Sequence, residues 1–454
     1  MELCVVGVSA DEQYPSLAGL LVHVNASCGA WCLTPHPLKR IHDRVERHRL
    51  VGICNTNGMI GMALIIDAHL DLAWNAMGLD RDLLLPLDRI KNAEASFTDG
   101  VWRGNGTLCL PQMRLGRVAV AVGTLLARSG PDYLTSKAVD RTEIDHVAPH
   151  VAHATACGQL AWYEWLEGNG HVRIIRTGAD LEDHWRRWVE YDAANPAITA
   201  EPSGSLSNPT SVAASPDSAY TDADSTPPIG LIISMEGADP ITRVEDVDVF
   251  YKHGLRAVGL AHYGRSRHAG GTSTTAPLTP LGIETLRIMS ERKIALDVTH
   301  LSDESLEQAI DIHAGPVLAS HHNCRVLAPH QRQLPDAHIR EIAARGGVMG
   351  LSLNTWMIVP GWKTGETVRE SVTLRHAVQH VDHICQVTGS ADHVGIGSDL
   401  DGGFGSEEVP AGIDCISQLN RLGHALADIN FTDEQIAGFL HGNWLRFWVA
   451  SLGD

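Results

Sequence analysis

Eight short apolar runs, each closed by a polar side chain and most of them separated by helical patterns, constrain this chain more than any other feature. They are ALIIDAHLD at 63–71, RVAVAVGT at 117–124, IGLIISME at 229–236, LRAVGLAH at 255–262, KIALDVTH at 293–300, GPVLASH at 315–321, GGVMGLSLN at 346–354 and HVGIGSD at 393–399. Near-continuous apolar runs of this length read as strands buried on both faces, which is the situation of a parallel sheet. Helical spacing lies between them at 244–254, 279–293, 302–315, 335–347 and 373–389, and a longer amphipathic stretch precedes them at 146–166. Local signals agree: Thr279 before Pro280 suits an N-cap with a first-turn proline, and Thr432 with Gln435 fits a capping box. Eight strands alternating with helices predict an α/β fold, a (β/α)8 TIM barrel. An open doubly wound sheet alternates in the same way. The barrel is preferred because only a closed ring brings the first and last strand ends together.

What stands at those ends is chemically uniform. Six of the eight runs finish in groups that bind metal or move protons: His69 with Asp71, Glu236, His262, His300, His321 and Asp399. His69 and Asp71 are two residues apart, so on an extended segment both point the same way and one ion can take both. Imidazoles mixed with carboxylates and no thiolate suit Zn²⁺, with Mn²⁺, Co²⁺ or Fe²⁺ as alternatives. Four histidines and three carboxylates exceed one tetrahedral ion, so two divalent ions about 3.5–4 Å apart are expected, with a bridging water or hydroxide of lowered pKa between them. Glu236, alone on its strand end, is the natural bridge. His69 and Asp71 then complete one ion, and His300 and His321 the other. Asp399 is left as general base and then acid, and His262 as the group that polarises the scissile carbonyl. Asp401, two residues on, is expected to fix its loop or a neighbouring histidine.

The rest of the composition narrows the setting. With 35 basic and 54 acidic residues, a net charge of −19, the chain is a poor partner for nucleic acid or an anionic membrane. No apolar run reaches the roughly 18 residues of a membrane span. Nine scattered cysteines, Cys28 and Cys32 being the closest pair in this count, suggest reduced thiols and a cytoplasmic location. Residues 1–61 lack the periodicity of the remainder and are read as a non-family N-terminal extension, with a mis-set start codon upstream of Met62 as the favoured explanation. Residues 201–228, rich in Ser, Pro, Asp, Thr and Ala, are read as a low-complexity insertion within a single domain at 62–454.

In order along the chain, the motifs resemble a known family. Asp67-Ala-His69-Leu-Asp71, the strand-end Glu236 followed by Gly237, Thr299-His300, Ser320-His321, the late GIGSDLDG at 395–402 and GNWLRFW at 442–448 look like the membrane (renal) dipeptidase family of zinc metallopeptidases in the amidohydrolase superfamily. The resemblance implies a (β/α)8 barrel with a binuclear zinc site that hydrolyses dipeptides, including L-Xaa-D-Xaa. It places the family's ligands on His69, Asp71, Glu236, His300 and His321, its carbonyl-binding histidine on His262 and its proton carrier on Asp399. It also implies a substrate-carboxylate arginine at Arg332, eleven residues past His321 in R-x-x-P-D. A bidentate guanidinium is what an exopeptidase needs to recognise a terminal carboxylate. The expected partner is a small dipeptide, and a homodimer is the expected assembly. The alternatives are an amidohydrolase acting on N-acyl amino acids, lactones or other small amides, and a silent metal-stabilised scaffold.

Overall fold

The structure, a computed structural model, describes residues 63–130, 143–196 and 226–453. The N-terminal extension read at 1–61, the Cys28–Cys32 pair and the insertion at 201–228, except its last three residues, lie outside the described residues.

Nine parallel strands form the central sheet: β1 (Ile65–Leu70), β2 (Val118–Leu125), β3 (Val172–Ile174), β4 (Ile229–Glu236), β5 (Leu255–Gly259), β6 (Ala295–Asp297), β7 (Val317–Leu318), β8 (Met349–Leu351) and β9 (Val394–Ile396). Eight of them run in the order β7-β6-β5-β4-β2-β1-β9-β8. The ring joins first to last strand where Asp67 pairs with Ile396, and β7 meets β8 at the bridge between Ala319 and Met349. This is the (β/α)8 barrel expected from the sequence, and its eight strands are the eight apolar runs. The ninth, β3, was not expected. Its three residues pair with Ile229–Leu231 at the start of β4, below the stretch from Ile233 onward that β5 takes. A three-residue strand is too short to show a period.

The strands are shorter than their apolar runs. β5, β6, β7 and β9 stop at Gly259, Asp297, Leu318 and Ile396, three residues before His262, His300, His321 and Asp399. The ladder gives way there to loops that turn the polar side chains inward. His300 and Asp399 sit in the left-handed region, with φ of 68° and 59°, at a cost of roughly 1 kcal/mol each. Gly237, with φ of 85°, makes the same kind of turn directly after Glu236.

The helices form where expected. Pro149–Gly168 covers the amphipathic stretch, Thr279 caps Pro280–Arg292 by accepting from the Gly282 amide, and Thr432 and Gln435 close a capping box. On β1, Ile66 and Ala68 share an apolar cluster with Trp185 and Trp188 of the helix Gly178–Ala194 and Trp444 and Trp448 of Asn443–Leu452. Each fully buried tryptophan removes roughly 200 Å² from water, on the order of 5 kcal/mol of transfer free energy. Asp67 and His69, on the alternate positions of β1, face the other way. The tryptophan side of β1 thus anchors the strand that carries the site.

Candidate active site

The sequence-predicted residues come together. Glu236 is at the centre: its Oε2 lies 3.6 Å from His69 Nε2, while its Oε1 lies 3.2 Å from His300 Nε2, 3.5 Å from His321 Nε2 and 3.8 Å from His262 Nε2. His69 Nε2 is also 3.9 Å from Oδ1 of both Asp71 and Asp399, and His300 and His321 bring their Nε2 atoms to 3.2 Å of each other. Around a tetrahedral zinc with bonds of about 2.1 Å, ligand atoms sit roughly 3.4 Å apart. The cluster has that spacing. His69, Asp71 and Glu236 form one group of atoms close enough to hold an ion, and Glu236 with His262 and His300, and His69 with His321 and Asp399, form others.

The ring nitrogens on the far side of three histidines decide what their Nε2 atoms can do. His69 Nδ1 and His321 Nδ1 lie 3.2 and 3.0 Å from Ser320 Oγ, and His300 Nδ1 lies 3.0 Å from Thr272 Oγ1. A hydroxyl oxygen accepts from N–H, so each ring can carry its proton on Nδ1 and keep the Nε2 lone pair for the centre. His69 Nε2 is buried with no hydrogen-bond partner, the state of a ligand atom awaiting a cation. The electrostatics point the same way. Burial pushes Asp399 well above the usual carboxylate range and Asp71 up to about 7. Burial opposes a charge on His69, yet Glu236, Asp71 and Asp399 outweigh it and push its pKa up to about 10. Burial dominates at His300 and His321 and holds both well below the ordinary value. Such a cluster draws in positive charge, as a proton on His69 or as a divalent cation, and it has the donor set for the cation.

Several supporting residues were not read from the sequence. The Asp67 carboxylate accepts from the Ser398 amide (2.9 Å), Ser398 Oγ (2.5 Å) and the His69 amide (3.3 Å), tying the loop of Asp399 to β1. Asp297 Oδ1 accepts from the amides of Thr299 and Ser320, both at 3.0 Å, and so fixes the loops of His300 and His321 together. Both carboxylates precede a site residue by two or three positions; Asp67 also opens the motif Asp67-Ala-His69-Leu-Asp71, though no role was read for it. Thr124 Oγ1 donates to Asp71 Oδ1. Asp401 accepts from Thr107 and Leu108 and pairs with Arg81 at 3.2 Å, so of its two expected roles it takes the loop-fixing one. His321, and not the adjacent His322, brings its ring to the cluster.

Arg332 is beside the cluster and 2% exposed. Its Nη2 donates to the His321 carbonyl at 2.9 Å and lies 3.3 Å from His300 Nε2, while Nε and Nη1 have no hydrogen-bond partner. The centre opens into a cavity of about 500 Å³, walled by Trp74, Trp102, Trp356 and Phe404, with Glu407 and Glu408 among its lining. Arg332 does not line it. A cavity of this size takes a small molecule.

A closed parallel barrel with histidines and carboxylates converging at the C-terminal ends of its strands is a TIM barrel with the donor set of a metal centre. The family profile of membrane dipeptidases (peptidase family M19) matches residues 205–451, more than half of the chain, and the chain belongs to that family. The matched segment holds Glu236, His262, His300, His321, Arg332 and Asp399, whereas His69 and Asp71 precede it. An uncharacterized dipeptidase of Schizosaccharomyces pombe is 30% identical over 203 residues, 44% of this chain. The match spans about half of that relative, 47% of its length. Two solved structures share the fold at 22% identity: a dipeptidase of family M19, with a TM-score of 0.61 over 86% of this chain and 99% of that one, and a metallopeptidase from Rhodobacter sphaeroides liganded with a phosphinate mimic of L-Ala-D-Ala, with a TM-score of 0.59 over 85% and 99%.

Proposed function

We propose that the protein is a metal-dependent dipeptidase that holds two divalent ions, zinc by the donor set, and acts on short dipeptides including L-Xaa-D-Xaa. The observation that carries this reading is the division of Glu236, one oxygen toward His69 and the other toward His300 and His321. On it, His69, Asp71 and Glu236 would hold one ion and Glu236, His300 and His321 the second. Bound there, the ions would supply an activated water and Lewis-acid polarisation of the peptide carbonyl.

The chain's own groups do the remaining work. Asp399, beside His69, takes the proton of the attacking water and returns it to the leaving amine; burial raises its proton affinity, which favours taking the proton up. His262 donates from Nε2 to the oxygen on which charge develops. Arg332 has two nitrogens, Nε and Nη1, without partners, and a terminal carboxylate that accepts from one of them would relieve a cost of about 1–3 kcal/mol for a buried unpaired donor. The dipeptide mimic held by the Rhodobacter sphaeroides metallopeptidase nominates L-Ala-D-Ala as the first substrate to try. A reduced cytoplasmic setting belongs to the same proposal; the described cysteines, Cys109, Cys157, Cys324, Cys385 and Cys415, are free.

A second reading, hydrolysis of N-acyl amino acids, lactones or other small amides at the same centre, is favoured by one observation, that Arg332 lies beneath the cavity wall rather than in it. The experiment for the leading reading is the Asp399→Asn substitution in metal-loaded protein. It is expected to lower kcat on L-Ala-D-Ala by at least about a hundredfold with metal content unchanged. A near-normal rate would remove Asp399 from the chemistry.

A further inference from the structure

His262 differs from the other three histidines of the centre in what stands behind it. Arg128, three residues past the end of β2, presents the Nε/Nη2 edge of its guanidinium to Asp145, with both bonds at 2.7 Å. Its main chain is fixed too: the Arg128 amide donates to the Ile144 carbonyl at 2.7 Å, and the His146 amide donates to the Arg128 carbonyl at 2.8 Å. The remaining nitrogen, Nη1, lies 3.0 Å from His262 Nδ1. A guanidinium stays charged and has no acceptor, so it can only donate. His262 Nδ1 must therefore present its lone pair to Arg128, and a neutral ring then carries its one proton on Nε2. A doubly protonated ring would have no lone pair on Nδ1 to meet the Arg128 donor at 3.0 Å, so the contact itself requires the neutral ring.

We infer that Arg128, clamped by Asp145, locks His262 as the Nε2–H tautomer, which makes His262 a hydrogen-bond donor to substrate and withholds it from metal binding. His69, His300 and His321 have hydroxyl oxygens behind Nδ1, which can accept and so leave an Nε2 lone pair for the centre; His262 has a cation behind Nδ1 and directs a hydrogen. Distance alone would admit His262 to an ion with Glu236 and His300. The tautomer excludes it, because a protonated Nε2 offers no lone pair. Arg128 is thus a positioning residue that divides four similar histidines into three ligands and one donor. The donor's use on a substrate carbonyl rests on the dipeptidase reading; the tautomer does not.

The test is ¹⁵N–¹H long-range correlation NMR of histidine-labelled, zinc-loaded protein, with the His262 signals assigned by their loss in H262Q. The wild type should show an unprotonated, pyridine-type Nδ1 and a protonated Nε2 at His262. Arg128→Met should lose that pattern and lower kcat about a hundredfold with zinc content unchanged. Arg128→Lys, which keeps a donor, should restore part of both. Because R128M removes the cation that faces the buried Asp145 carboxylate, R128M/D145N is measured beside it. A wild-type His262 protonated on Nδ1, or an R128M or R128M/D145N protein that keeps both the tautomer and kcat, would overturn the inference. The expected tautomer in a protein inactive on every dipeptide would support the inference while refuting the dipeptidase reading.

Discussion

At Glu236, one carboxylate has no charged partner on its own strand and gathers three histidines from β1, β6 and β7 around its two oxygens. Its position was legible because an apolar run of eight ends in a lone acid, and a charge at the end of a buried strand needs compensation. The ligand residues, Asp399 and His262 were legible in the same way, each closing a run. Arg128 was not: it pairs with a histidine 134 positions away and lies past the end of its own run, so nothing local marks it. Asp297, and the role of Asp67 within its motif, were hidden because a carboxylate that accepts backbone amides does its work in three dimensions. Arg332 was reached only through the resemblance, and its role has its own test. If it binds the terminal carboxylate, Arg332→Ala should raise KM for L-Ala-D-Ala at least about tenfold while leaving carboxylate-free amides unaffected. An unchanged kcat/KM on the best substrate would favour the other small-amide reading.

Among the elements, β6 to β9 are the shortest strands of the ring, three, two, three and three residues, and β7, β8 and β9 approach closely. The Ser320 carbonyl fits between Gly350 and Gly397; a Cβ on either would stand 1.8 Å from it. Ser320 also carries the hydroxyl behind both His69 and His321. Gly350→Ala therefore pushes on the segment that orients two ligands. It should cost about 1–3 kcal/mol in urea unfolding and weaken zinc binding measurably, whereas Gly168→Ala, at a helix end with open space around the added methyl, should change neither by more than about 0.5 kcal/mol. Wild-type zinc affinity in G350A would show that the close approach is not part of the site. The apolar runs revealed that these strands exist but not where their ladders stop. The last three residues before each site group look the same in sequence, yet they form loops in which His300 and Asp399 adopt positive φ.

Across the whole molecule, the site exists only because the ring closes. Asp67 near the start of the described chain pairs with Ile396 near its end, and the Asp67 carboxylate then holds Ser398 beside Asp399. That closure was legible as a requirement, since ligands scattered over 330 residues can converge only in a barrel. The short β3 was not, because it adds nothing to the ring. The chain is a barrel of the M19 family, and its use of two bound ions on dipeptides is our proposal. It is tested most directly by titrating Zn²⁺ into metal-stripped full-length protein while following L-Ala-D-Ala hydrolysis. Activity should be absent without metal, rise over the first two equivalents per chain and level off beyond them. Hydrolysis by the stripped protein, a plateau at one equivalent, or no hydrolysis of any dipeptide at full loading would contradict the account.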